Sequence, residues 1–246
     1  MAHSLTEADL YGLTEQGPRP PVFGSHQPET NGERWLWSLI RSRVRVIVDV
    51  GVREQLTYPD DGRVIQHCFE PNPAFCQQLR LAANEHIFIN PYGLGRTEGT
   101  VTYYRHSESI KPRAHYQCLV TCSCRTSVPI RTLDAYCQEK GLVSVDFLKL
   151  DVEGYELAVL QGATQILPAI GAVQFEYGGT YADNNITLTQ IYECLAQAGL
   201  TYVYLICPNY LCRMVTPFEN GAYANYLATH VPALDWLNAL EGNGSR

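Results

Sequence analysis

The sequence has no apolar run near the ~20 residues needed to cross a bilayer, so no membrane is expected among its partners. Positive charge is scarce as well: 18 Lys and Arg stand against 25 Asp and Glu, a formal net charge of −7. A surface that holds a phosphate backbone carries a basic stripe, and nucleic acid is therefore not an expected partner. The N-terminus, Met1-Ala2-His3-Ser4-Leu5-Thr6-Glu7, lacks the basic region and apolar core of a secretory signal, which makes the cytoplasm the expected location. No Cys-x-x-Cys occurs among the nine cysteines, so they read as reduced, small core residues. Cys118, Cys122 and Cys124, with His106 and His115 nearby, match no zinc spacing. No metal site is predicted. A Gly-x-Gly-x-x-Gly after the first strand-like run is also missing, which removes a dinucleotide-dependent oxidoreductase from consideration.

What remains is a chain of 246 residues, 46% hydrophobic and 17% charged, enough for one globular domain with a full core. Residues 1–30 are rich in Pro and Gly without a sustained period and are expected to form a leader or lid. Residues 31–246 are expected to form the single domain. Within it short apolar runs alternate with helical periodicities, the pattern of an α/β protein. Val44–Val50, Val64–Phe69, His86–Asn90, Val145–Leu150 and Ile170–Tyr177 read as strands, and Tyr202–Cys207 and Ala222–Ala228 as two more. Asn31–Arg43, Ala74–Asn84, Asp134–Lys140 and Leu188–Ala198 read as helices. Only Val52 to Arg63 separates the first two strands, so this crossover has room for a turn or two of helix at most. The irregular stretch Ser107–Ser127 is long for a compact domain and is expected to be an acceptor-binding lid or, equally, a plain solvated loop.

The chemistry concentrates at strand ends. Val145–Leu150 is followed at once by Asp151 and Glu153, then by a helical spacing of Tyr155, Ala158, Val159 and Gly162. Glu176 ends a strand in the same way, as does Glu70, and Asp49-x-Gly51 ends the first. Open α/β sheets bind ligands at the carboxyl ends of their strands, although a carboxylate there also serves to cap the next helix. Glu153, at the start of the helical spacing, is expected to fix the turn, with Asp151 facing the reaction.

Lys149-Leu150-Asp151-Val152-Glu153-Gly154-x-Glu156, with Leu160-x-Gly162-Ala163 after it and Val128-Pro129-Ile130-Arg131-Thr132-Leu133-Asp134 before it, resembles the signature of the FkbM family of S-adenosylmethionine (SAM) dependent methyltransferases. Phe69-Glu70-Pro71-Asn72-Pro73 and Asn90-Pro91-Tyr92-Gly93-Leu94-Gly95 resemble further segments of that family. The resemblance implies a Rossmann-like class I methyltransferase fold, a mostly parallel seven-stranded sheet with helices on both faces. It implies SAM as cofactor, with Asp49, Gly51, Glu70, Pro71, Asn90, Gly93 and Asp151 around it, and the loop after Gly51 is expected to bring Arg53 or Gln55 to the cofactor or the acceptor. It also implies methyl transfer to a hydroxyl of a sugar, glycan or other natural product, with Asp151, Glu153 and Glu176 as the catalytic carboxylates. Mg²⁺ is compatible with such a site, but no residue set calls for it. One position departs from the family pattern: the second glycine of Asp-x-Gly-x-x-x-Gly falls on Gln55. The alternative reading is a domain of this fold that binds a ligand or partner without catalysis.

Overall fold

The structure, a computed structural model, describes residues 6–14, 17–19, 21–104, 109–110, 125–178 and 184–243. Its centre is an eight-stranded sheet formed by β1 (Val46–Val50), β2 (Ile65–Phe69), β3 (Ile87–Asn90), β4 (Val145–Leu150), β5 (Ile170–Tyr177), β6 (Tyr202–Cys207), β7 (Tyr210–Arg213) and β8 (Ala224–Thr229), in the order β7-β6-β8-β5-β4-β1-β2-β3. The run from β5 to β3 is parallel, and β8, β6 and β7 complete the sheet antiparallel. Strands buried on both faces need mostly apolar runs, and β1 and β4 have them apart from Asp49, Asp146 and Lys149. Both faces are covered. On one, Val48, Leu148 and Val173 pack under Tyr136 of α3 (Leu133–Lys140), Val159 and Leu160 of α4 (Glu156–Gln161), and Ile191 and Leu195 of α5 (Leu188–Gln197). On the other, Ile47, Phe147 and Ala172 meet Leu36 and Ile40 of α1 (Glu33–Ile40) and Trp236 and Leu237 of α6 (Ala233–Asn243).

The helix starts follow from local chemistry. The Asn72 side chain accepts the Ala74 N–H at the start of α2 (Pro73–Leu79), whose first residue is the proline that needs no N–H there. Thr132 accepts the Ala135 N–H for α3, and Thr187 with Gln190 forms a reciprocal box for α5. At α6 two tyrosines from elsewhere do this work, the Tyr204 hydroxyl accepting the Ala233 N–H and the Tyr11 hydroxyl that of Leu234.

The seven expected strands are present, and the eighth, β7, is an addition. It returns antiparallel on β6 through the turn at Pro208-Asn209. Helix α6 is a second addition. The β1–β2 crossover contains no helix, in line with its length. A four-stranded sheet of Gly93–Leu94, Arg125–Arg131, Gly99–Tyr104 and Ser109–Ile110 lies beside the main one. Most of the Ser107–Ser127 stretch, expected as a lid or a solvated loop, lies outside the described residues. The described part of residues 1–30 is joined to the domain, with Leu10 fully buried and Tyr11 stacked on Tyr204 at 5.7 Å. No helix of the described residues is long and apolar enough to cross a membrane.

Candidate active site

Register decides what the sheet presents at its carboxyl end. Lys149 lies beside Asp49 on one neighbour and Gln174 on the other. Side chains two residues apart share a face, so Ile47, Asp49 and Gly51 of the β1 segment line up with Phe147, Lys149 and Asp151 of β4 and with Ala172, Gln174 and Glu176 of β5. This face is apolar at its amino end and polar at its carboxyl end. The polar row opens onto a cavity of about 320 Å³, near the lower end of the range for small-molecule sites.

Gly51 has φ 92°, and a Cβ on it would stand 1.9 Å from the Asp151 carbonyl oxygen. Only glycine allows the ends of β1 and β4 to approach so closely. After it Arg53 adopts φ 64° and Glu153, across the cavity, φ 56°, a left-handed backbone uncommon outside glycine. Both line the cavity. The bend that a second glycine would permit is thus made two residues earlier than Gln55, by Arg53. Glu70, almost fully buried, fixes this loop: its carboxylate accepts the Arg53 N–H at 3.0 Å and the Asn72 N–H at 2.6 Å.

The carboxylates differ in protonation. Asp151 opens onto the cavity and accepts a 2.8 Å hydrogen bond from the Lys149 ammonium, which is 4% exposed. Burial pushes the Asp151 carboxyl up, but Lys149 and a hydrogen bond from Glu176 outweigh it and hold it below the usual range. Glu176 goes the other way: burial, then the charge of Asp151, raises it far above an ordinary carboxylate. The pair therefore carries one proton, held by Glu176 and donated toward an ionised Asp151.

Of the residues marked out by the sequence, Gly51, Arg53, Glu70, Pro71, Gly93, Asp151, Glu153 and Glu176 line the cavity together. Asp49 and Asn90 are not part of its lining. Asp49 sits one pleat below Gly51 with no exposed surface, and the Asn90 amide is turned inward to the Cys68 carbonyl at 3.1 Å and the Tyr136 hydroxyl at 3.3 Å. Glu153 is not the capping residue of α4, because the helix begins at Glu156 and the Glu156 carboxylate accepts the Val152 N–H at 2.9 Å. Tyr155, assigned to a helix face by its spacing, reaches the cavity instead, where Phe75, Tyr103, Tyr223 and His26 also stand. His26 comes from the aperiodic 1–30 segment and Tyr223 from the expected Ala222–Ala228 strand, and their ring contact at 3.8 Å pairs the two. Among the described residues no group of three or more His, Cys, Asp or Glu is placed to hold a metal ion.

The sequence profile of the Methyltransferase FkbM domain matches residues 54–202, more than half of the chain. The chain belongs to the FkbM methyltransferase family. The match to this FkbM profile begins after the Asp49–Gly51 strand end, includes Glu70, Asp151 and Glu176, and leaves out His26 and Tyr223. The chain is also similar to the 2-O-methyltransferase NoeI of Sinorhizobium fredii, 27% identical over an alignment that covers 79% of this chain and 83% of that protein. Among solved structures it resembles the methyltransferase FkbM from Methylobacillus flagellatus (16% identity, TM-score 0.46), covering 76% of this chain and 44% of that one. It also resembles the N-terminal domain of EvdMO1, solved in the presence of SAH and D-fucose (9% identity, TM-score 0.44, 91% of each chain). This chain therefore spans less than half of the Methylobacillus protein.

Proposed function

We propose that this FkbM-family chain transfers a methyl group from SAM to a hydroxyl of a sugar, glycan or other natural product. One observation carries the reading: a single cavity at the carboxyl ends of β1, β2, β4 and β5 gathers Gly51, Glu70, Asp151 and Glu176, where open α/β sheets take their ligands. Family membership supports methyl transfer, and NoeI, a 2-O-methyltransferase by name, supports an oxygen as acceptor.

The residues fit the cofactor by charge and shape. Glu70, held by two backbone N–H groups, presents a buried carboxylate suited to the paired hydroxyls of a ribose. Carboxylates outnumber cations along the polar row, which suits a cationic sulfur. The bound cofactor supplies an electrophilic methyl group. Transfer of that methyl, with the C–S electron pair returning to sulfur, would leave the acceptor's hydroxyl proton strongly acidic. Asp151, ionised at neutral pH, receives that proton even though Lys149 makes it a weak base. Glu176 keeps Asp151 oriented by the hydrogen bond it donates. Aligning oxygen and methyl supplies the rest of the rate.

Calorimetry with SAM and its demethylated product, S-adenosylhomocysteine, tests the reading. Wild type is expected to bind both, and Glu70→Ala to bind at least about tenfold more weakly, about 1.4 kcal/mol. Labelled methyl groups are expected to enter hydroxyl-bearing compounds in a glycan panel. Absence of binding would favour the second reading, a ligand- or partner-binding domain without catalysis, which Gln55 in the glycine position favours.

A further inference from the structure

Beneath the cavity lies a charged cluster that reaches beyond the family segment. Lys149 Nζ is 2.8 Å from Asp151 Oδ2 and 3.9 Å from Glu33 Oε1. Glu33 is the first residue of α1 and is itself held on both oxygens, by Gln174 Nε2 at 2.6 Å and by Asn31 Nδ2 at 2.8 Å. Asp49 flanks Lys149 in register, fully buried with both oxygens outside hydrogen-bond geometry, though the Thr57 hydroxyl is near. A lysine with 4% of its side chain exposed has lost its water, and such a charge is stable only among fixed counter-charges.

We propose that Lys149 is a positioning residue for Asp151, clamped between that carboxylate and Glu33 so that α1 sets where the cavity acid points. The geometry is that of a two-anchor clamp. An ammonium on a four-carbon stem has wide freedom in water. Here Glu33 from the helix and Asp151 from the strand end both hold it, and the Gln174 and Asn31 amides prevent Glu33 from turning away. The groups facing the clamp are Glu33 on α1, Asp49 on β1, Glu176 on β5, and Tyr58 and Arg53 on the crossover. The one other cation among them, Arg53, is exposed, so Lys149 is the buried cation beside Asp151. That Asp151 matters for methyl transfer rests on the function proposed above. The clamp does not.

Side-chain NMR of the full chain tests it without an acceptor. The chain has only three lysines, Lys111, Lys140 and Lys149, so ¹⁵N-lysine labelling resolves them. The wild-type Lys149 ammonium is expected to exchange its protons slowly at neutral pH, and Glu33→Gln to accelerate that exchange at least several-fold. Carboxyl-labelled aspartate is expected to show the Asp151 midpoint rising by a full pH unit or more in Lys149→Met, with Lys149→Arg restoring most of the wild-type value. Fast ammonium exchange in wild type, or exchange unchanged in Glu33→Gln, would overturn the clamp, and both hold even if Lys149→Met fails to fold. An unmoved Asp151 midpoint in a cooperatively melting Lys149→Met would overturn the positioning role. Lost cofactor binding would leave these results standing, which keeps the two proposals separable.

Discussion

Asp151 and Glu176 carry one proton between them, and that division sets what each substitution should do. Asp151→Asn removes the ionised acceptor while Lys149 keeps Glu33 and Asp49 as counter-charges. The variant is expected to fold and to bind S-adenosylhomocysteine near wild-type affinity, yet to lose turnover on whichever hydroxyl compound the wild type methylates. An active Asp151→Asn enzyme would move the proton acceptor elsewhere. Glu153 is expected to behave differently, because it holds φ 56°, a region that costs an L-residue roughly 1–2 kcal/mol. Glu153→Gly is therefore expected to keep or raise the melting temperature, where a glycine inside a helix would cost about 1 kcal/mol. A clear drop in melting temperature would show that the Glu153 side chain, rather than its backbone, carries the turn. The sequence pointed to both carboxylates because a strand ends abruptly beside them. It assigned the turn to Glu153, whereas the carboxylate that accepts the Val152 N–H and closes the turn, Glu156, comes from within the helix.

The strand ends form a site only because the sheet brings β1 and β4 side by side, and Gly51 marks the tightest point of that contact. Gly51→Ala places a methyl 1.9 Å from the Asp151 carbonyl oxygen on a backbone with φ 92°. Relief requires the two strand ends to separate, so a loss of about 3 kcal/mol or more is expected in urea unfolding, along with weaker cofactor binding. A variant as stable as wild type would show that this junction yields easily. The parallel strands and α5 were legible because burial on both faces forces apolar runs and a half-buried helix forces a 3.6-residue period. Strand β7 was not, because Tyr210–Arg213 is four residues long and ends in an arginine at the sheet edge. Helix α6 has its apolar residues at Ala233, Trp236, Leu237 and Leu240, a helical spacing, but its N-terminal caps come from Tyr11 and Tyr204 and leave no local signal. Loop length limited the first crossover helix to a turn or two, and the structure has none there. The aromatic wall of His26 and Tyr223 was not, since it depends on two distant segments meeting.

The two faces of the sheet also answer to pH in opposite directions, a property of the domain rather than of any site. On the α3 face His67 is 4% exposed, with Nδ1 shared with the Tyr136 hydroxyl at 2.7 Å, and burial, aided by Lys140, pushes it down to about 4 from 6.5. Its folded form resists the proton that the unfolded chain accepts, so its contribution is complete above pH 6.5 and is lost as pH falls toward 4. On the α1 face burial outweighs Lys149 and raises Asp49 to about 6 from 3.8. Here the folded form keeps a proton that the unfolded chain releases, so the contribution is complete below pH 3.8 and is lost as pH rises to 6. At ~1.4 kcal/mol per pKa unit each group is worth about 3 kcal/mol across its window, and over the shared range the two slopes largely offset each other. Single substitutions should separate them. Relative to wild type, His67→Gln is expected to gain about 3 kcal/mol on going from pH 7 to pH 4, and Asp49→Asn to gain about 3 kcal/mol on going from pH 4 to pH 7. Urea midpoints measured at half-unit intervals across that range check both signs. Variants that run parallel to wild type throughout would mean that water reaches both groups and that neither face holds its charge state by burial.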